Sequence, residues 1–176
     1  MISSAGISRG SLKYLADTGR LDQVSRGVYT LPEVWEDEFV SIQERYKRGV
    51  FALDTALFLH DLTDRTPHKF HMAFPYGYNT SSPKAAGILC SCKKEPYYSL
   101  GIALVDTPAG NTVRVYNAEK TLCEILKPIS HTDIQIITDA FKRYAGRKDK
   151  NIPLLSEYAH QLRVEKRLRP YLEVLL

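Results

Sequence analysis

The chain has 176 residues, of which 44% are hydrophobic and 25% charged, and it carries a formal net charge of +4. This length accommodates one large domain, or a medium-sized domain and a small one. No apolar run approaches the roughly 18 residues that a membrane-spanning helix requires, and no signal or transit peptide is recognisable. Three cysteines are an odd number and lack the spacing of a disulfide framework, so the sequence favours a cytoplasmic protein.

The positive charge is concentrated at the two ends of the chain. Residues 1–32 hold four basic and two acidic residues, which gives +2, and residues 127–176 hold ten basic and six acidic residues, which gives +4. The middle of the chain is therefore near −2, the whole being +4. This distribution suits a polyanionic partner, although an ordinary solvated surface gives the same count.

Residues 6–31 predict a short helix followed by a two-stranded ribbon. Ser8 can cap the start of the helix, and Gly19 is placed to end it. The segment Ser25-Arg26-Gly27 forms the turn of the ribbon, and residues 28–31 are mostly β-branched or aromatic, as strands favour. A helix followed directly by such a ribbon is the second half of a winged helix-turn-helix, the half that contacts DNA.

The polar side of this helix and the tip of the ribbon hold side chains suited to DNA. In helix-turn-helix proteins the N-terminal residues of this helix reach base edges. Arginine can contact guanine or phosphate, whereas lysine and tyrosine suit phosphate. A small helix and hairpin with a solvated basic tip would show the same pattern. The candidate DNA-contacting residues are Ser8, Arg9, Ser11, Lys13, Tyr14 and Arg26.

Beyond the ribbon the pattern mixes helices and strands and then becomes helical to the end of the sequence. This indicates an α+β fold, in which a mixed or antiparallel sheet is flanked by helices. We predict two domains, a partial winged helix-turn-helix at 1–32 and an α/β domain at 33–176. The sequence first predicts helices at 39–46 and 52–62 and then strands at 69–75, 88–92, 101–107 and 112–116. Four helices follow: one capped by Asn117, one that begins with a Ser130–Asp133 capping box, and two at 152–162 and 164–175.

A second basic surface is predicted near the end of the capping-box helix. Part of this cluster is the usual placement of cations at helix C-termini, and a solvated face is the simplest interpretation. The alternative is a polyanion-binding surface, for flanking DNA or an acidic partner protein. The residues concerned are Lys142, Arg143, Arg147, Lys148 and Lys150.

No motif in the sequence predicts catalysis, a metal site or a cofactor. Cys90 and Cys92 lie on one predicted strand, but two ligands are too few for a structural zinc site, and half-buried thiols explain them as well. A nucleophile elbow, a P-loop and a G-x-G-x-x-G motif are all missing from the sequence. The residues therefore do not favour an enzyme; a nuclease-like enzyme ranks last, because the acidic residues lack supporting spacing.

The order and spacing of several segments resemble the AbiEi-type antitoxins, regulators of bacterial type IV toxin–antitoxin and phage-defence pairs. No single segment is diagnostic, but together they extend over nearly the whole sequence. They are Gly6–Arg9, Val24–Tyr29, Gly49–Phe51, Thr55–His60, Leu62–Asp64, Pro75–Asn79, Gly110–Tyr116, Glu119–Glu124 and Tyr158–Leu176.

The resemblance implies an N-terminal winged helix that binds double-stranded DNA at inverted repeats in the promoter of its own operon. It also implies a C-terminal α/β domain needed for antitoxin activity, a toxin partner that looks like a nucleotidyltransferase, and no enzymatic activity in the antitoxin itself. Direct contact with the toxin stays open. The family usually has one or two helices before the segment Gly6-Ile-Ser, so the N-terminal domain reads as shortened. The alternative function is a protein-interaction module whose truncated N-terminus no longer binds DNA.

Overall fold

The computed structural model describes Ala16 and residues 21–25, 28–30 and 37–175. The chain divides into two compact units, Met1–Lys47 and Arg48–Leu176. This division falls later in the chain than the predicted 32/33 boundary, because the helix at residues 38–45 groups with the first unit. The roles predicted for the two domains stay predictions.

The described part of the first unit consists of two strands and a helix. Strands β1 (Asp22–Ser25) and β2 (Val28–Thr30) form an antiparallel hairpin, and α1 extends over Glu38–Arg45. Helix α1 starts where the Asp37 carboxylate accepts a hydrogen bond from Phe39 N at 3.1 Å, which satisfies one of the free N–H groups of the first turn. The predicted ribbon and the predicted helix at 39–46 are confirmed here.

The second unit contains a mixed sheet flanked by helices. Among the described residues the sheet has five strands in the order β5-β4-β3-β7-β6; β3 pairs antiparallel with β4 and parallel with β7, β4 and β5 are parallel, and β6 and β7 form a hairpin. In chain order the elements are β3 (Val50–Phe51), α2 (Leu53–Leu59), β4 (His71–Pro75), α3 (Ser81–Ala85), β5 (Leu89–Lys93), β6 (Ile102–Asp106), β7 (Thr112–Tyr116), α4 (Ala118–Ile125), a 3-10 turn at Pro128–Ser130, α5 (Ile134–Ala145), α6 (Ile152–Gln161) and α7 (Glu165–Leu175).

Helix α4 is the central helix of the second unit, and all eight of its residues are buried. Its apolar side chains pack with those of α2, α5, α6 and α7 in one large hydrophobic cluster, which includes Leu57, Leu122, Phe141 and Leu155. A smaller cluster lies at the sheet and includes Val50 and Tyr116. The predicted α+β class, with a mixed sheet, flanking helices and a helical C-terminus, is confirmed. None of the described helices combines the length and apolar character of a membrane span.

The capping-box prediction is wrong. Helix α5 is capped by Asp133, whose carboxylate accepts from Gln135 N at 2.7 Å, and not by Ser130. The Ser130 hydroxyl instead donates to the carbonyl oxygens of Ile125 and Lys127, because it lies in the 3-10 turn that follows α4. Ile134, the first residue of α5, is 64% exposed, whereas Ile137, Phe141 and Tyr144 of the same helix are buried.

The Tyr144 hydroxyl connects three helices of the second unit. It donates to the buried Glu119 carboxylate on α4 at 2.7 Å and accepts from Asn151 N, the cap of α6, at 2.7 Å. Tyr144 is itself completely buried. Because a buried carboxylate that loses its donor keeps its full desolvation cost, this hydroxyl stabilises the packing of α4, α5 and α6.

We therefore expect Tyr144→Phe to lower the free energy of unfolding by about 1–3 kcal/mol. Urea denaturation followed by circular dichroism measures the change. The matched control is Tyr76→Phe, which removes the hydroxyl of an exposed tyrosine and should leave stability within about 0.5 kcal/mol. Equal stabilities of the two variants would contradict a structural role of the Tyr144 hydroxyl.

Candidate functional site

The candidate DNA-contacting residues lie outside the part of the chain that the structure describes, so their roles stay predictions. Of the predicted helix at 8–19, only Ala16 is described, and its backbone is helical. The two strands that flank the predicted wing tip are both described. The residues that lie outside the description are Ser8, Arg9, Ser11, Lys13, Tyr14 and Arg26.

The β1–β2 hairpin is a short antiparallel ribbon. Its partners are Asp22 with Thr30, Gln23 with Tyr29, and Ser25 with Val28, so only residues 26 and 27 connect the strands. The register shifts between Gln23 and Ser25, which is the two-against-one arrangement of a β-bulge. Bulges bend a strand and increase its twist. The two strands flank the segment that the wing interpretation assigns to the ribbon tip, and residues 26 and 27 themselves lie outside the description.

The predicted second basic surface is divided between groups with different surroundings. The Arg143 guanidinium pairs with Asp64 at 3.2 Å, and Lys150 Nζ donates to the Ala145 carbonyl at 2.7 Å. Lys142 and Lys148 are exposed, whereas Arg147 is half-buried. A role of these residues in binding a polyanion stays a prediction.

Arg147 is anchored by two groups at once. Its guanidinium donates to the His60 carbonyl at 2.9 Å and forms two hydrogen bonds with the Asp149 carboxylate, at 2.9 and 2.6 Å. The hydrogen bonds from Arg147 lower the pKa of Asp149 to about 2. Arg147 therefore holds the loop after α5 against the end of α2, which is a structural task that its position in the sequence does not reveal.

This anchored loop forms one wall of an open cleft of about 610 Å³. The opposite wall is strand β6, an edge of the sheet, where Leu104 is 72% exposed. The cleft combines an apolar side chain, an accessible strand edge and charged groups of both signs. It is lined by Leu59, His60, Asp61, Leu104, Val105, Arg147, Lys148 and Asp149.

His60 lies between the cleft and the sheet and is held in one orientation. Its Nε2 donates to the Tyr116 carbonyl at 2.7 Å. Burial lowers the pKa of His60, and the nearby Arg147 lowers it further, against the opposing effect of the Tyr116 carbonyl. The imidazole is therefore neutral near pH 7, with the proton on Nε2.

Lys120 is a completely buried cation on α4. Its ammonium donates to the carbonyl oxygens of Tyr97 at 2.5 Å and Leu100 at 2.6 Å, and it lies 3.3 Å from the centroid of the Tyr116 ring. Burial lowers the pKa of Lys120 to about 7, although the Glu124 carboxylate acts in the opposite direction. With no solvent access, Lys120 positions the backbone between β5 and β6 and is not available to a substrate.

Glu124 is the negative centre of this buried cluster. Its Oε1 accepts from Lys93 Nζ at 2.6 Å and lies 4.0 Å from Lys120 Nζ. Its Oε2 is buried without a hydrogen-bond partner among the described residues. The three charges sit on a helix and a neighbouring strand, so the cluster fixes β5 against α4. The order of residues in Glu119–Glu124 does not by itself predict this arrangement, because Lys93 lies far away in the sequence.

Among the residues that the structure describes, no three of His, Cys, Asp and Glu come together as metal ligands would. Cys90 and Cys92 lie on β5, half-buried and exposed respectively, and both are free thiols.

The N-terminal segment is similar to a known family. Residues 1–32 match the family model of a transcriptional regulator, AbiEi antitoxin, which confirms the resemblance over those residues. No curated protein matches the chain. Among solved structures, the crystal structure of the RV2827C protein from Mycobacterium tuberculosis is similar, with a TM-score of 0.58 and 15% sequence identity over 98% of this chain and 72% of that chain. At this identity the similarity concerns the fold.

We expect Glu124→Gln to lower the free energy of unfolding by about 3 kcal/mol. Among the described residues, Glu124 is the carboxylate that lies within 4.0 Å of both Lys93 Nζ and Lys120 Nζ, and the substitution removes its charge. Urea denaturation at neutral pH measures the change. Glu157→Gln is the matched control, since that carboxylate is exposed on α6 and accepts from Gln161 at 3.0 Å, which an amide oxygen can also do. Equal small effects would show that the buried carboxylate does not balance the two cations.

The half-buried His60 predicts a pH dependence of stability. Its pKa in the folded state is below the ordinary 6.5, so the unfolded chain takes up a proton first as the pH falls. Stability is therefore lost as the pH drops from 6.5 toward the lowered value, by at most about 1.4 kcal/mol per pH unit for one proton. In His60→Gln this loss should be smaller, whereas exposed His68→Gln should follow the parent protein. Parallel pH profiles of parent and His60→Gln would refute the assignment.

Proposed function

We propose that this chain is an antitoxin of a bacterial type IV toxin–antitoxin system and a DNA-binding repressor of its own operon, acting in phage defence. The observation that supports the proposal most directly is the match of residues 1–32 to the transcriptional regulator family of AbiEi antitoxins. The β1–β2 hairpin lies within the matched segment and adds a ribbon of the kind that serves as a wing. The cytoplasm is the compartment in which such a regulator acts.

In this proposal the helix around Ser8–Tyr14 enters the major groove and the ribbon tip reaches the backbone or the minor groove. Arg9 reads a base edge, and Lys13 and Arg26 contact phosphates. Two chains bound at an inverted repeat would place one such unit on each half-site. The chain works by binding, without catalysis of its own, and its functional partner is a toxin of the nucleotidyltransferase kind.

A protein-interaction module is the second candidate function, and the cleft beside β6 supports it. An edge strand offers unpaired backbone groups to an extended segment of another protein, and an exposed leucine adds apolar contact. Leu104 provides that contact on β6. In this alternative the second unit binds a partner through the cleft and residues 1–32 do not bind DNA.

Fluorescence anisotropy with a duplex from the region upstream of the chain's own operon tests the main proposal. A scrambled duplex of equal length is the control, and both are measured at low and moderate salt. Specific binding that weakens with salt is the expected result. Weak and equal binding to both duplexes would contradict the repressor and favour the interaction module.

Variants of the N-terminal segment test the individual contacts. We expect Lys13→Ala and Arg26→Ala to weaken binding to all duplexes and to reduce its salt dependence, each by about one phosphate contact. Arg9→Ala should cost about 1–3 kcal/mol at one position of the specific site only. Lys69→Ala removes an exposed lysine from the second unit and serves as the matched control. Affinities and salt slopes equal to those of the control would refute the assigned contacts.

A further inference from the structure

Tyrosines and cations gather where two parallel strands of the second unit end. Strand β4 ends at Pro75 and is followed by Tyr76 and Tyr78, and β5 ends at Lys93 and is followed by Lys94. Because β4 and β5 are parallel, these residues emerge at the same edge of the sheet, and Tyr76 N donates to the Lys93 carbonyl at 2.8 Å. Arg48, Tyr76, Tyr78, Lys94 and Tyr97 are called the aromatic–basic patch below.

The patch exposes aromatic rings next to cations. Tyr76 is 70% exposed and Tyr97 is 40% exposed, so both rings are accessible to a ligand. Lys94 Nζ lies 4.9 Å from the centroid of the Tyr76 ring. The Arg48 guanidinium lies 5.8 Å from the centroid of the Tyr78 ring. Each cation therefore has an aromatic surface beside it, and both cations are exposed.

The underlying structure holds the patch in place. Tyr78 stacks on the buried Phe74 with ring centroids 4.5 Å apart and an interplanar angle of 13°. The Tyr98 hydroxyl donates to the Arg48 carbonyl at 2.5 Å, and the Tyr97 carbonyl accepts from buried Lys120. The nearby acidic residue Glu95 accepts from the backbone and hydroxyl of Ser99, at 3.3 and 2.7 Å. The backbone that carries the aromatic rings of the patch is therefore already held in place before a ligand binds.

We infer that the aromatic–basic patch binds single-stranded nucleic acid, with bases stacked on Tyr76 and Tyr97 and phosphates contacted by Lys94 and Arg48. Proteins that bind unpaired strands combine exposed aromatic rings, on which bases stack, with cations that follow the backbone. A duplex keeps its base faces stacked and can use only the cations, so exposed rings favour an unpaired strand. This site is separate in sequence from the duplex contacts proposed for residues 1–32.

Anisotropy of the full chain with labelled single strands of about 12 nucleotides tests the inference. The probes are oligothymidylate and oligouridylate, which distinguish DNA from RNA as the source of the strand. We expect Tyr76→Ala to weaken binding about 5- to 100-fold, and Tyr76→Phe, which keeps the ring, to bind like the parent protein. Lys94→Ala should lower the salt slope by about 0.7, the value for one phosphate of a single strand.

Matched controls separate the patch from general effects of truncation or charge. Ile129→Ala shortens an apolar side chain that is 82% exposed, and Lys69→Ala removes an exposed lysine before β4; both should bind like the parent protein. Circular dichroism confirms that each variant is folded. The duplex from the operon should still bind Tyr76→Ala. Duplex binding therefore tests the repressor proposal, and single-strand binding tests this inference independently of it.

Three results would overturn the inference. One is the absence of single-strand binding by the parent protein at low salt. Another is single-strand binding that is unchanged in Tyr76→Ala and Lys94→Ala but lost in Arg26→Ala. That result would place the bound oligonucleotide at residues 1–32. A loss of affinity in Tyr76→Phe equal to that in Tyr76→Ala would likewise remove ring stacking as the cause.

Discussion

The second unit depends on the burial of one ammonium group, that of Lys120. An ammonium with no access to water is tolerated only when its protons are donated to fixed acceptors and a carboxylate is close. The acceptors are the carbonyl oxygens of Tyr97 and Leu100, which belong to the segment between β5 and β6. The backbone of this segment must therefore approach α4 at one place and in one orientation, which defines how the outer strands join the helical layer.

The two carboxylates of the same helix extend this constraint in other directions. Glu124 requires Lys93 at the end of β5, and Glu119 requires the Tyr144 hydroxyl of α5, which in turn holds the first residue before α6. Glu119, Lys120 and Glu124 on the buried helix α4 thus determine which neighbouring segments pack against it. Apolar packing supplies the bulk of the burial, whereas these polar contacts allow only one arrangement of the packed elements.

Local signals in the sequence were sufficient for elements whose pattern is complete within a few residues. The alternation of Thr112–Tyr116 predicts β7 residue for residue, and Asn117 caps α4 as expected, accepting from Lys120 N at 2.9 Å. The surroundings of Lys120 and Glu124 were not predictable, because helical periodicity places charged residues on a solvated face. The anchoring of Arg147 by His60 was missed for a related reason, since its acceptor lies far away in the sequence.

Strand β3 is the shortest strand of the sheet among the described residues and also its central one. It was not predicted, since two residues after Gly49 are too few to show a period. Strands β6 and β7 are joined by a short turn, whereas the pairing of Phe51 with Val115 joins residues that are far apart in the sequence. Pairing of distant segments is slow because a large loop must close first. We therefore expect the β6–β7 hairpin to form before β3 pairs with β7.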